Sequence, residues 1–182
     1  MLPPRPLAAH KGRGAVSNIQ GRYEMNGREG FDDGWDAAGE GGDAPAFKTQ
    51  VTDEVAKSIL SRNASPDIPF KVSLNPYRGC EHGCIYCYAR PTHSYLNMSP
   101  GLDFETKIIA KSNLAQVLRR QLAGRRYEPK MIAIGTATDC YQPVERELRL
   151  TRAVIELFNE THHPFGLVTK SSGVERDLDL IA

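Results

Sequence analysis

At 182 residues the chain is long enough for one domain with a sizeable core. Its 23 Lys and Arg nearly cancel its 22 Asp and Glu, leaving +1, so composition alone selects no acidic or basic partner, although a local patch can hide in a neutral total. There is no apolar run near 18 residues, and the start, Met1-Leu2-Pro3-Pro4-Arg5-Pro6, lacks the apolar core of a secretory signal. No membrane span is therefore expected, and four cysteines without an export signal point to a reducing compartment, the cytoplasm, with thiols free or metal-bound.

Residues 1–46 read as a poorly ordered arm. Gly27 to Gly42 holds six glycines, a cluster of acids and few apolar residues, too little to offset the entropy of ordering. The arm is basic first (Lys11, Arg13, Arg22, Arg28) and acidic later (Glu29, Asp32, Asp33, Asp36, Glu40, Asp43), with the only tryptophan, Trp35, among acids and glycine. Its basic half is a candidate contact for nucleic acid, although such charge runs are commonly just solvated.

From Phe47 the texture changes. Val55, Ile59 and Leu60 give Asp53–Leu60 helix-permissive spacing before a connection broken by Pro66 and Pro69. Phe70–Asn75 reads as a strand ended by Pro76, and Cys84–Leu96 as a helical turn or two interrupted by Pro91. Thr106–Ala110 reads as a β-branched, apolar strand. Asn113 is a good N-cap for a helix carrying Leu114, Val117, Leu118 and Leu122 up to Gly124. Met131–Gly135 is a continuous apolar run, as expected of a strand buried on both faces. Glu145–Asn159 is the clearest helix, Phe165–Thr169 a further strand, and Gly173–Ala182 a further helix. This alternation predicts parallel βαβ units.

The chemistry is concentrated in Asn75-Pro76-Tyr77-Arg78-Gly79-Cys80-Glu81-His82-Gly83-Cys84-Ile85-Tyr86-Cys87-Tyr88-Ala89-Arg90. Three cysteines fall at Cys80-x3-Cys84-x2-Cys87, and glycines before Cys80 and Cys84 let the backbone curl so that the thiols can point inward. Three thiolates on one loop form a soft, anionic pocket suited to iron–sulfur or zinc. A four-iron cluster held this way keeps one iron open to a ligand that is not protein. A structural zinc site needs a fourth ligand, from His82, His93 or Cys140, and its usual signature is two separated Cys-x2-Cys pairs. The alternative reading is thus a zinc-stabilised nucleic-acid-binding module without catalysis, its basic arm on phosphates.

Two further blocks follow expected strands, where parallel α/β sheets bind ligands. In Gly135–Glu145, Thr136, Thr138 and Asp139 could face a ligand, although Thr, Asp and Pro are also ordinary loop and cap residues. In Thr169-Lys170-Ser171, Lys170 could pair with a carboxylate and Ser171 hydrogen-bond it. Cys140 reads as a small buried hydrophobe.

The cysteine spacing, with an aromatic before the third cysteine, resembles the radical S-adenosylmethionine (radical SAM) superfamily. The three blocks together look like its spore photoproduct lyase-related branch. Gly12-Arg13-Gly14-Ala15 and Gly21-Arg22-Tyr23-Glu24 further suggest a bacterial subgroup labelled "DNA repair photolyase". The resemblance implies a 4Fe-4S cluster on Cys80, Cys84 and Cys87, with S-adenosylmethionine on the open iron. Tyr86 would lie near the adenine, and Thr138, Asp139, Lys170 and Ser171 around the cofactor. It also implies reductive cleavage of SAM to a 5′-deoxyadenosyl radical, an external electron donor, and nucleic acid as a candidate substrate. Aligned on Asp139, Thr136 stands where true lyases carry a hydrogen-donating cysteine. Threonine's O–H bond is too strong for that task, and Cys140 does not match the position. The implied fold is a partial (β/α) barrel, with residues 47–182 its N-terminal part; the helical stripe of Val174, Leu178 and Ile181 stops without a cap, and a carboxyl-terminal truncation is expected, which leaves open whether the fragment alone is active.

Overall fold

The computed structural model describes residues 10, 12–24 and 47–181. Along the chain lie β1 (Gln50–Asp53), β2 (Leu60–Arg62), β3 (Val72–Leu74), β4 (Tyr77–Arg78), a 3₁₀ helix (Arg90–Leu96), α1 (Leu102–Thr106), β5 (Lys107–Ala110) and α2 (Leu114–Leu122). There follow β6 (Ile132–Ile134), α3 (Glu145–Leu148), α4 (Leu150–Glu160), β7 (Phe165–Leu167), a second 3₁₀ helix (Ser172–Asp177) and α5 (Leu178–Ile181). The strands form a three-stranded sheet, β1-β5-β4, and a four-stranded sheet, β2-β3-β6-β7. The chain divides into two units, Met1–Val51 with Gly79–Ile108, and Thr52–Arg78 with Ile109–Ala182. Among the described residues no helix is long and apolar enough to cross a membrane.

The second unit carries the four-stranded sheet. β3, β6 and β7 run parallel, in register Val72↔Ile132 and Ile132↔Phe165, while β2 pairs antiparallel with β3. β3 and β6 are buried at every position, as the apolar run of β6 predicts. Leu114, Val117 and Leu118 of α2 and Val154, Ile155, Leu157 and Phe158 of α4 close one core with Leu74, Ile132 and Ile134. Each such side chain contributes roughly 1.5–3 kcal/mol by leaving water.

These sheets overturn the expected partial (β/α) barrel of radical SAM type: the two are small, of three and four strands, with no closed barrel among the described residues. The strand expected at Thr106–Ala110 does not stand between β3 and β6. It begins at Lys107 and pairs antiparallel with β4, Tyr77 opposite Ala110 and Arg78 opposite Ile109. β3 therefore lies directly beside β6, and three parallel strands capped by an antiparallel edge do not curl into a barrel.

Local expectations shift for identifiable reasons. Asp53–Leu60 is not helical, because its backbone finds partners on α2 side chains. Asn113 Oδ1 accepts from Ala56 N at 2.9 Å, Asn113 Nδ2 donates to Ala56 O at 2.9 Å, and Gln121 Oε1 accepts from Ile59 N at 3.0 Å. Asn113 thus occupies the N-cap position of α2 without capping it. The long helix expected at Glu145–Asn159 is broken at Arg149, which turns left-handed at φ 51°. Pro91 starts the first 3₁₀ helix instead of interrupting one, its missing N–H costing nothing in a first turn. The cysteine loop does not follow β3 directly, since β4 intervenes.

Candidate functional site

The cysteine loop belongs to the first unit. Gly79, at φ +79°, opens it; a Cβ there would meet the Phe104 carbonyl at 2.9 Å and the His93 ring at 3.0 Å, so only glycine fits. The next residue, Cys80, donates its backbone N–H to the Phe104 carbonyl at 2.9 Å and is buried. Gly83, at φ +61°, supplies a second turn, and Cys87 N returns to Cys84 O at 3.2 Å. Cys84 and Cys87 are partly exposed, and none of the three cysteines is in a disulfide. Tyr86 is 82 % exposed.

A fully buried carboxylate, Glu105, organises this loop. It accepts from Gly14 N and Ala15 N, each at 3.0 Å, and from the Arg90 guanidinium. Arg90 in turn donates Nε–H to the Cys84 carbonyl at 3.0 Å, and to the carbonyls of Pro100 and Gly101 at 3.2 Å. Arg13 donates to the Glu105 carbonyl at 2.6 Å, to Phe47 O at 3.0 Å and to Thr49 Oγ1 at 2.9 Å; Thr49 Oγ1 donates to Glu81 Oε1 at 2.7 Å. A Cβ on Gly14 would collide with the Gly83 carbonyl. Gly12-Arg13-Gly14-Ala15 is therefore packed on the cysteine loop, although it falls in the stretch read as an arm. Gly27–Gly42, Trp35, Lys11 and Arg28 lie outside the described residues.

Among the described residues no three His, Cys, Asp or Glu side chains are gathered closely enough to hold a metal ion, so the thiols share a loop without converging. The donor set still fits a thiophilic metal: three soft ligands on one short segment, turned at Gly79 and Gly83 and held by main-chain bonds. Of the alternative fourth ligands, His93 is fully buried, its Nε2 3.1 Å from the Lys107 carbonyl and its ring edge-on to Phe104. Burial holds its pKa below the usual histidine value, partly offset by that carbonyl. Cys140 belongs to the second unit and is buried, as read from the sequence.

In the second unit the loops after β3, β6 and β7 meet at the strands' carboxyl ends. Asn75 ties the first two: its Oδ1 accepts from Ala137 N at 2.8 Å and Thr138 N at 3.3 Å, and its Nδ2 donates to Thr136 Oγ1 at 3.3 Å. Asp139 ties the last two, accepting from Thr169 Oγ1 at 2.7 Å, Lys170 N at 3.0 Å and Tyr141 N at 2.8 Å. Thr138 is buried and donates to the Tyr77 carbonyl at 3.2 Å; Ser171 caps the following 3₁₀ helix by accepting from Gly173 N at 3.1 Å. Lys170 is exposed. Thr138, Asp139, Lys170 and Ser171 thus come together, with Asp139 as the tie and Thr138 and Ser171 engaged with the backbone. Lys111 adds a half-buried amine, donating to the Asn75 carbonyl at 2.7 Å; desolvation and then Arg78 push its pKa down to about 8 against the pull of Glu54.

An uncharacterized protein of Mycobacterium tuberculosis (strain ATCC 25618 / H37Rv) is 42% identical to this chain over 142 residues, 76% of the chain and 42% of the relative. An uncharacterized protein of Mycobacterium bovis gives the same figures, and one of Methanocaldococcus jannaschii is 29% identical over 111 residues, 60% of the chain and 39% of the relative. The chain spans about two fifths of the length of the curated relatives it matches. No family model matches it. No solved structure matches it.

Glu105, Arg90 and Asn75 are the site residues that sequence reasoning missed as actors. Glu105 carries no motif; with Asp103, Thr106 and Lys107 around it, nothing in the stretch marks it as buried. Arg90 and Asn75 close and open the cysteine stretch, and their duties are long-range hydrogen bonds that spacing does not encode.

Proposed function

We propose that this chain is a radical SAM protein whose Cys80, Cys84 and Cys87 hold a 4Fe-4S cluster. The observation that carries the reading is the Cys80-x3-Cys84-x2-Cys87 loop, with three thiols outside any disulfide on a segment anchored at the Cys84 carbonyl by the Glu105-bound Arg90. When bound, such a cluster supplies the electron that cleaves SAM to methionine and a 5′-deoxyadenosyl radical able to abstract hydrogen.

The chain's own residues would do the rest. The three thiolates ligate, and drawing them together couples metal binding to closure of the loop. Cys80 stays fixed by its main-chain bond to Phe104, while the more exposed Cys84 and Cys87 supply the movement. Tyr86 offers an exposed ring to an adenine, and Lys170 an ammonium to a carboxylate. Asp139, with its oxygens already bonded to Thr169 and Lys170 N, holds the loop that carries that lysine. The electron comes from an external donor, and nucleic acid is the proposed substrate class.

The test is anaerobic reconstitution of the chain with iron and sulfide, followed by reduction with SAM, with and without DNA. Brown protein holding iron and sulfide, and methionine release that Cys84→Ala abolishes, is the expected result. Colourless protein with stoichiometric zinc, or a Cys84→Ala variant that still cleaves SAM, overturns the reading.

A further inference from the structure

A cavity of about 490 Å³ opens in the second unit along β2, the end of α2 and the amino ends of β3 and β6, lined among others by Leu60, Arg62, Val72, Arg126, Tyr127 and Lys130. Val72 begins β3, and Lys130 stands two residues before β6. The opening runs along β2, from Leu60 opposite Leu74 to Arg62 opposite Val72, with Arg62 and Lys130 towards the end of the sheet away from Asn75, Asp139 and Lys170. Its volume lies within the range of pockets that take small ligands.

The charges around this cavity are one-sided. Four of the unit's guanidiniums meet acids, Arg78 with Glu54, Arg119 with Glu160, Arg152 with Asp177 and Asp179, and Arg176 with Glu145 and Asp177. Around the cavity only Lys130 has an acid, Glu128, at 3.1 Å. Arg62 and Arg126, both exposed, form no ion pair among the described residues. The surplus continues along the chain: residues 119–130 hold Arg119, Arg120, Arg125, Arg126 and Lys130 against a single acid, Glu128, in a chain whose total is only +1. Two like-charged forks facing one polar hollow repel each other until an anion sits between them.

We infer that this groove binds the phosphodiester backbone of a single-stranded nucleic acid. Guanidinium forks match phosphate oxygens two at a time, and the half-buried Tyr127 at the groove gives a ring on which a base can stack. Basic residues extending beyond the cavity to Arg120 and Arg125 fit a run of phosphates better than one. The inference needs neither the cluster nor SAM, so failure of the cleavage assay leaves it standing, and its own failure leaves the cluster untouched.

The measurement is fluorescence anisotropy of a short labelled oligothymidylate against the full chain over a salt series. Binding should weaken with salt, and Arg62→Ala/Arg126→Ala should cut affinity roughly tenfold or more and lower the log–log salt slope by about 1.4, at ~0.7 per phosphate contact on a single strand. Arg119→Ala, which removes one positive charge from an exposed ion pair outside the cavity, should change both by much less than half as much. Glu128→Gln should tighten binding, a gain that misfolding cannot produce. Unchanged affinity in the double variant, no gain in Glu128→Gln, or tight binding of inorganic pyrophosphate without the oligonucleotide overturns the inference.

Discussion

Arg90 donates its Nε–H to the carbonyl of Cys84 at 3.0 Å, so the middle thiol of the loop hangs on a guanidinium rather than on regular secondary structure. The far side of that guanidinium is neutralised by the buried Glu105, which also collects the N–H groups of Gly14 and Ala15. One carboxylate thereby joins the amino-terminal segment to the cysteine loop.

Glu105→Gln should leave Arg90 without its counter-charge in a buried place. Removing one partner of such a pair costs about 3–5 kcal/mol. The expected outcome is a lower denaturation midpoint together with less iron and sulfide retained per chain after reconstitution. Cys84→Ala should lose the metal with the midpoint of the metal-free protein nearly unchanged. Normal metal retention in Glu105→Gln would detach the carboxylate from the loop's role.

Gly14→Ala puts a methyl into the Gly83 carbonyl. The segment around Gly14 should lift, freeing two amides now bonded to Glu105. Hydrogen exchange reads this directly: the amides of residues 14 and 15 should lose protection, while those of Leu118 and Ile155, in the other unit's core, should not change.

Asp177 gives the second unit an acid limit. Burial alone would raise its carboxyl, but hydrogen bonds from Arg176, Arg152 and Tyr141 outweigh that and hold it at about 2. Because the folded value lies below the unfolded value of about 3.9, its stabilisation is present above pH ~4 and lost as pH falls towards 2. The amount is roughly 2–3 kcal/mol. Asp177→Asn should be destabilised near neutrality, and the difference from the parent should shrink steadily in urea titrations taken from pH 5 to pH 2. A constant difference across that range would remove Asp177 from the account.

Arg149 sits at φ 51° between α3 and α4, a region costing roughly 1–2 kcal/mol for a side chain with a Cβ. Glu145 makes the break workable, accepting from Thr151 N at 3.0 Å while Tyr77 donates to the same carboxylate. Arg149→Gly should therefore raise stability by about 0.5–1 kcal/mol. Glu145→Ala should lower it by at least ~2 kcal/mol, since the buried Tyr77 hydroxyl and the first amides of α4 lose their acceptor. Thermal melts of the two variants should move in opposite directions.

What the chain states openly is local. β6 announces itself as an unbroken apolar run, α2 as a leucine stripe, and the metal-ligand candidates as three cysteines in eight residues. Partnership is what it conceals. Asn113 looks like a cap yet spends its amide on Ala56; Asp53–Leu60 has helical spacing yet satisfies its backbone on Asn113 and Gln121. Alternating strands and helices suggested successive parallel βαβ units, and the family resemblance a barrel, but nothing in Lys107–Ala110 declares that it will pair with Tyr77 and Arg78. The arm's composition hid Arg13 and Gly14, because an arginine between glycines reads as solvated until a buried Glu105 is known to wait for it. In each case the deciding contact joins residues far apart in sequence.

The parallel strands β3 and β6 are three residues long, which makes the sheet about 10 Å deep from one rim to the other. That is close to the Debye length at 0.1 M salt. A polyanion lying across Arg62 and Arg126 would therefore bias the electrostatic potential at Lys170 and Lys111 in dilute buffer and hardly at all in concentrated salt. Ionic strength alone would then tune whether the two rims act as neighbours or as strangers.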